Sequence, residues 1–395
     1  MYNNNLILTN IQVYTDNGVI PDGYIKIEDG KITDVNDINH LTKSKDMDIV
    51  ALPNKSKAIP GMIDIHIHGV NGSDVMDGTT ESLLNMVSSL PQEGTTSFLA
   101  TTITQDKELI EKALINASDF MLNHQLSGQS EIIGVHLEGP FLNKTKAGAQ
   151  PLNHIIEPNL DLFKRWQALA NDNIKLVTLA PEEPMATELI HYLKENGIIA
   201  SVGHSDATLE EVDHAIKAGL SHVTHLFNQM SGLHHREPGV VGAALLRDHL
   251  MVEIITDGVH VRPEAVQLAY KQKTADKMIL ITDAMRAKCL KNGTYDLGGQ
   301  QVTVEGGKAL LENGTLAGSV LPMGQALKNV LTFTNCTLEE AISMTSVNPA
   351  KELDIYDRKG SLTIGKDADI VILDDDQEIL MTFCRGKLAY LKRAF

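Results

Sequence analysis

Hydrophobic positions change rhythm near residue 58. Before it they come in short runs set between turn residues: Leu6-Ile7-Leu8, Ile11-Gln12-Val13-Tyr14 and Tyr24-Ile25-Lys26-Ile27. Glu28-Asp29-Gly30-Lys31 then reads as a hairpin turn into Ile32-Thr33-Asp34-Val35. Such spacing predicts a small antiparallel β layer. Beyond residue 58, apolar β-type runs alternate with helical stretches, the pattern of a parallel sheet covered on both faces. The runs are Ala58–Ile65, Thr95–Thr101, Glu131–Leu137, Lys175–Ala180, Ile198–Gly203, His222–Leu226, Met251–Thr256 and Met278–Thr282. Among the intervening segments, Thr208-Leu209-Glu210-Glu211 opens a helix with the residues of a capping box. Eight strand–helix units predict an α/β protein built on a (β/α)8 TIM-type barrel, whose active site lies at the C-terminal strand ends.

After the eighth run the alternation breaks. The stretch 295–318 is rich in glycine and β-formers and predicts a hairpin excursion. Helices follow near Met323–Thr334 and Leu338–Thr345, and 360–373 returns to strand pattern. Pairing of that tail with the N-terminal strands predicts a small β-sandwich domain from both termini. The expected division is 1–57 and 356–395 for this β domain and 58–355 for the barrel.

Composition narrows the function classes. A net charge of -17 over 395 residues argues against a nucleic-acid or anionic-membrane partner. Three scattered cysteines, Cys289, Cys336 and Cys384, form no C-x-x-C pair and suit a reducing cytoplasm. Met1–Asn5 lacks the features of a signal peptide, and no apolar run approaches the roughly 20 residues that span a bilayer.

Chemistry enters at the strand ends. His66 and His68 alternate along an extended segment and so share a face, with Asp64 behind them. His136-Leu137-Glu138 ends the third run, His204 the fifth, and His225 with Asn228 the sixth; Asp257 and His260 follow the seventh and Asp283 the eighth. In a barrel these ends form one ring, so groups far apart in sequence converge. Imidazole nitrogen with carboxylate oxygen suits zinc, iron, manganese or cobalt rather than calcium or magnesium. A carboxylate such as Glu138 can bridge two metals, and a shared hydroxide with its pKa lowered toward about 7 makes a nucleophile at neutral pH. Asp283 is the candidate group to move the proton.

These residues resemble the N-acetylglucosamine-6-phosphate deacetylases of the metal-dependent amidohydrolase superfamily. The resemblance runs over about 60–320 and rests on Pro60-Gly61-Met62-Ile63-Asp64-Ile65-His66-Ile67-His68-Gly69, His136-Leu137-Glu138-Gly139-Pro140-Phe141, Gly203-His204-Ser205, Thr224-His225-Leu226-Phe227-Asn228-Gln229-Met230, Arg236-Glu237-Pro238-Gly239, Asp257-Gly258-Val259-His260, Thr282-Asp283-Ala284 and Leu316-Ala317-Gly318-Ser319. It implies hydrolysis of N-acetyl-D-glucosamine 6-phosphate to glucosamine 6-phosphate and acetate, in amino-sugar catabolism. By this resemblance Glu138, His204 and His225 hold one divalent transition metal, His66 and His68 hold a second, and Asp283 is general base and acid. Asn228, Gln229, Arg236 and His260 would bind the sugar phosphate, with Arg236 reaching across from a neighbouring subunit of a homodimer. Leu316, Ala317, Gly318 and Ser319 would line the sugar pocket, with Ala149 opposite. Gln150 stands where some relatives carry a histidine that polarises the acetyl carbonyl; glutamine can donate a hydrogen bond but cannot become cationic, and a second metal could take that part. Two other readings stand beside this one: another amidohydrolase acting on N-acyl-amino acids or cyclic amides, and a non-catalytic scaffold with this fold. Glu138 in Glu-Gly-Pro speaks against the former, since many such relatives bridge their metals with a carbamylated lysine; the intact ligands speak against the latter.

Overall fold

The computed structural model describes residues 5–42 and 47–392; the leader reading at Met1–Asn4 lies outside them. Eight parallel strands form the central sheet: Met62–Ile67, Thr95–Thr102, Glu131–Glu138, Ile174–Leu179, Ile199–Val202, His222–Val223, Met251–Ile255 and Met278–Ile281, each paired with the next. The last closes onto the first just beyond its own end. Asp283 N donates to His66 O at 2.8 Å, and His68 N donates to Ala284 O at 2.9 Å. The barrel predicted from the eight apolar runs is therefore present, and its closing bonds lie beside His66 and His68.

Burial explains why these runs became strands. Ile63, Ile65 and Ile67 pack into the same core as Leu83, Met86 and Val87 of the helix Thr80–Ser89. The helix Leu209–Ala218 begins with the predicted capping box: Glu211 N donates to Thr208 Oγ1 and Thr208 N to Glu211 Oε2.

Two predicted runs differ in detail. Ala58–Ile65 is divided between two sheets: Asp48–Pro60 belongs to the terminal sheet and Met62–Ile67 to the barrel. The break falls at Gly61, where a Cβ would sit 2.1 Å from Thr96 Oγ1, so only glycine fits between the layers. His222–Leu226 contributes a strand of only two residues, because the chain turns at His225, whose φ is 32°.

The terminal sheet has seven strands. Lys387–Leu391, Ile379–Cys384 and Ile370–Leu373 come from the C-terminal part; Asp48–Pro60, Leu6–Thr15, Gly18–Glu28 and Lys31–Asp37 from the N-terminal part. It closes over its own core of Leu6, Leu8, Ile25, Ile27, Ile370, Ile372 and Phe383. The N-terminal layer is antiparallel as expected except that Leu6–Thr15 pairs parallel with Asp48–Pro60. An ion network clamps this sheet to the barrel: buried Lys359 reaches Glu131 of the third strand at 2.8 Å and Asp369 at 2.5 Å.

The excursion after the eighth strand has three antiparallel strands, Gly293–Leu297, Gln300–Glu305 and Lys308–Leu310, one more than a hairpin. The helix Met323–Thr334 lies where predicted; the next, Leu338–Ile342, passes through a π-helical turn at Ser343–Val347 into Asn348–Glu352. No helix among the described residues is long and apolar enough to cross a membrane.

Candidate active site and metal centre

Six predicted groups meet at the C-terminal rim of the barrel. His66, His68, Glu138, His204 and His225 are all nearly fully buried, and Asp283 is partly open to a cavity. Each is aimed by local structure. His66 lies on a strand and projects inward by period-two alternation, with His68 just beyond the strand's end. Glu138 ends the third strand, followed by Gly139 at φ 72°, where a side chain would strike Thr104 Oγ1. His204, His225 and Asp283 have φ of 48°, 32° and 46°, in the left-handed region that non-glycine residues seldom adopt. Each such residue costs about 1–3 kcal/mol, and strain of this kind gathers at functional sites.

The groups form two triplets, Glu138–His204–His225 and His66–His68–Asp283. In the first, Glu138 Oε1 lies 3.2 Å from both His204 Nε2 and His225 Nε2, which are 3.1 Å apart. In the second, Asp283 Oδ1 lies 3.3 Å from His68 Nε2 and 3.5 Å from His66 Nε2. Glu138 joins them, because its Oε2 is 3.3 Å from His68 Nε2.

The arrangement fits divalent metal. Four imidazole Nε2 atoms and two carboxylates converge here, and the buried His66 Nε2 has no hydrogen-bond partner. Buried polar atoms are rarely left orphaned without a reason. His204 Nδ1 meets Lys146 O at 2.9 Å, which fixes the ring with Nε2 toward the cluster. Electrostatics agree. Burial opposes charge on His66, but the Asp283, Glu138 and Glu253 carboxylates outweigh it and hold its pKa well above the ordinary value. Against the same penalty, hydrogen bonds to Asp283 and Glu138 raise His68 to about 10. Burial pushes Glu138 upward, but the surrounding histidines, His66 first, hold it well below the carboxylate range. The pocket thus stabilises positive charge beside two anions.

A cavity of about 350 Å³ opens above the triplets, within the range of small-molecule sites. Ala149, Gln150, Asn228, Gln229, His260, Leu316 and Gly318 line it, as do Ile103, Leu297, Gly314 and Thr315, which the sequence did not single out. Ala317 and Ser319 do not. Ala317 packs with Met285 and Leu297 instead, and Ser319 Oγ donates to Thr282 O while its amide donates to Asp283 O at 2.7 Å. Arg236 also lies outside the lining, exposed, with Nη1 2.7 Å from His235 Nε2. Gln150 is committed on both sides: Nε2 donates to Glu138 Oε2 at 2.8 Å, and Oε1 accepts from Thr104 N at 2.8 Å. His260 Nδ1 lies 2.6 Å from Asp257 Oδ2; this bond outweighs burial and raises the His260 pKa.

Sequence reasoning passed over Glu253, buried beneath both triplets. The available signal was a lone acid inside the apolar run Met251-Val252-Glu253-Ile254-Ile255. It also passed over the bond from Thr282 Oγ1 to Asp64 Oδ2 at 2.6 Å, which ties the eighth strand to the first. His136 Nε2 is 2.7 Å from Thr178 Oγ1.

Residues 58–389 match the amidohydrolase family. The N-acetylglucosamine-6-phosphate deacetylase of Bacillus subtilis (strain 168) is 50% identical over 389 residues, covering 98% of each chain. The chain belongs to the N-acetylglucosamine-6-phosphate deacetylase family of amidohydrolases. A solved deacetylase of this family from Thermotoga maritima is 36% identical with a TM-score of 0.87, covering 98% of this chain and 100% of that one. A variant deacetylase from Mycobacterium smegmatis, solved with N-acetyl-D-glucosamine-6-phosphate, is 27% identical with a TM-score of 0.90, covering 98% and 99%. As a deacetylase-family member the chain is a hydrolytic enzyme, and its family is metal-dependent.

Proposed function

We propose that this protein hydrolyses N-acetyl-D-glucosamine 6-phosphate to D-glucosamine 6-phosphate and acetate. The observation that carries the reading is the pair of triplets joined by Glu138 at the floor of the cavity, within a chain matched almost end to end by deacetylases. The reading assigns two metals per subunit, one to Glu138, His204 and His225 and one to His66 and His68, with Glu138 shared. A divalent metal supplies Lewis acidity that activates water and polarises a carbonyl.

The remaining steps belong to side chains. Asp283 faces the cavity, and although burial would raise its pKa, His66 and His68 outweigh that and lower it, so it is a base at neutral pH. It takes a proton from the attacking water and passes it to the nitrogen as the amide C–N bond breaks, giving the free amine and acetate. Gln150 donates to Glu138 Oε2 and holds that carboxylate in place. His260, with a raised pKa, offers positive charge to a phosphate, and the backbone around Asn228 and Gln229 adds donors. Arg236, outside its own cavity, supplies a bidentate guanidinium to the site of a second copy in a homodimer. Such local cations are what a chain of net charge -17 needs to bind a phosphosugar. Unpaired, scattered cysteines suit a cytoplasmic setting.

Acetate release from the phosphorylated and unphosphorylated sugar, with and without chelator, tests the reading. Release from the phosphorylated sugar, abolished by chelator and restored by metal, is expected. No release from either sugar in the presence of metal refutes it; equal rates on both remove the phosphate roles of Arg236 and His260.

A further inference from the structure

The seventh barrel strand carries one charge within an apolar run, and the charge is fully buried at Glu253. Both its oxygens face nitrogen donors. Oε2 lies 3.0 Å from His66 Nδ1 and accepts from the His225 backbone amide at 3.1 Å. Oε1 lies 3.3 Å from His222 Nε2, whose Nδ1 is 3.1 Å from Glu352 Oε1. The Glu253 carbonyl accepts from Leu226 N at 2.9 Å. One residue of the seventh strand therefore grips a histidine of the first strand and the turn after the sixth. Those two histidines belong to different triplets.

We propose that Glu253 is a positioning residue shared by both halves of the metal centre: it sets which nitrogen His66 presents and locks the turn that presents His225. The inference rests on the metal-hydrolase reading above. A carboxylate only accepts, so His66 must carry hydrogen on Nδ1 in this contact, and a neutral ring then has its lone pair on Nε2. Nε2 is the atom that faces Glu138 and Asp283, each at 3.5 Å. With the opposite tautomer an N–H would point where a ligand atom is needed. At His225 the backbone holds φ 32°, and two bonds accepted by Glu253, one from His225 N at its side chain and one from Leu226 N at its carbonyl, brace that conformation. His222, set between two carboxylates, keeps the Glu253 side chain from turning away. Glu253 does not line the cavity, so it acts through the two histidines and not on substrate. Partners of this kind orient metal-binding imidazoles, and their removal typically costs 10–100-fold in metal affinity.

The test is titration of metal-stripped protein with zinc(II) against a chromophoric chelator, reading stoichiometry and affinity beside circular dichroism. Wild-type protein is titrated first; its zinc binding establishes the reading on which the inference depends. Glu253→Leu fills similar volume without an acceptor and is expected to bind zinc 10–100-fold more weakly with unchanged secondary structure. Glu253→Gln keeps an oxygen toward His66 Nδ1 and His225 N, turns its amide to His222, and is expected to restore affinity to within about tenfold of wild type. Wild-type stoichiometry and affinity in Glu253→Leu, with only a lower melting temperature, overturns the proposal. If that variant does not fold, nitrogen NMR of zinc-loaded wild-type protein labelled in histidine decides. A protonated Nδ1 on His66, identified by its absence in His66→Ala, is expected; an unprotonated Nδ1 overturns it.

Discussion

Replacing Asp283 by Asn isolates proton transfer from position. The backbone at 283 is pinned by bonds the substitution does not touch: its amide to His66 O at 2.8 Å and its carbonyl to Ser319 N at 2.7 Å. The side chains have nearly the same volume, and the cavity wall keeps its shape. What changes is one oxygen, 3.3 Å from His68 Nε2 and 3.5 Å from His66 Nε2, that can no longer take a proton. General acid–base groups contribute about 10²- to 10⁴-fold, or about 3–5 kcal/mol of barrier. Asp283→Asn is therefore expected to lower kcat by that factor while KM for the phosphorylated sugar moves less than about threefold. Steady-state acetate release and metal content, measured on the same preparation, separate the two effects. A kcat within tenfold of wild type at full metal loading refutes the assignment. Loss of metal together with activity would instead make Asp283 chiefly a ligand.

Three further outcomes follow from particular contacts. Gln150→Leu removes a 2.8 Å bond to the Glu138 carboxylate, and bonds to charged groups are worth about 1.5–3 kcal/mol; kcat/KM should fall roughly 10- to 150-fold, and an unchanged value would show that Glu138 needs no support there. Lys359→Met strands Glu131 and Asp369 at the junction of barrel and terminal sheet; breaking a buried pair costs about 3–5 kcal/mol, so the melting temperature should drop by several degrees while metal content holds, and an unchanged melting temperature would refute the clamp. Burial alone would lower the His222 pKa, but Glu253 and Glu352 raise it to about 9. Its stabilisation, at most about 3 kcal/mol, is complete below about pH 6.5 and lost as pH rises through about 9; in metal-loaded protein the melting temperature of wild type should fall more steeply over that window than that of His222→Gln, and parallel curves would refute it.

Much of this was legible in the chain. The change of rhythm at residue 58 announced a barrel because strands covered on both faces must be apolar throughout. His66, His68, Glu138, His204, His225 and Asp283 could be picked out because each follows an apolar run at the end where barrel sites lie. Other features were hidden. Ala317 and Ser319 sit in a matching motif, yet Ala317 packs with Met285 and Leu297 and Ser319 bonds to Thr282, while Leu316 and Gly318 line the cavity. Arg236, expected from the resemblance to bind phosphate, lies outside the cavity of its own chain. Glu253 was a single acid in a strand, with no local cue to its three partners.

The sequence by itself determined what is periodic and local: the alternation that makes eight strands, the capping box at Thr208, and the kinds of side chain at each strand end. Only the tertiary structure decided how those side chains meet. Glu138 joins two triplets drawn from five strand ends, His204, His225 and Asp283 hold left-handed backbones, and Glu253 grips both halves from below. The physical reason is range. Period and capping follow from neighbours a few residues apart, whereas a buried charge is stable only where distant strands bring it donors, and that requires the closed barrel.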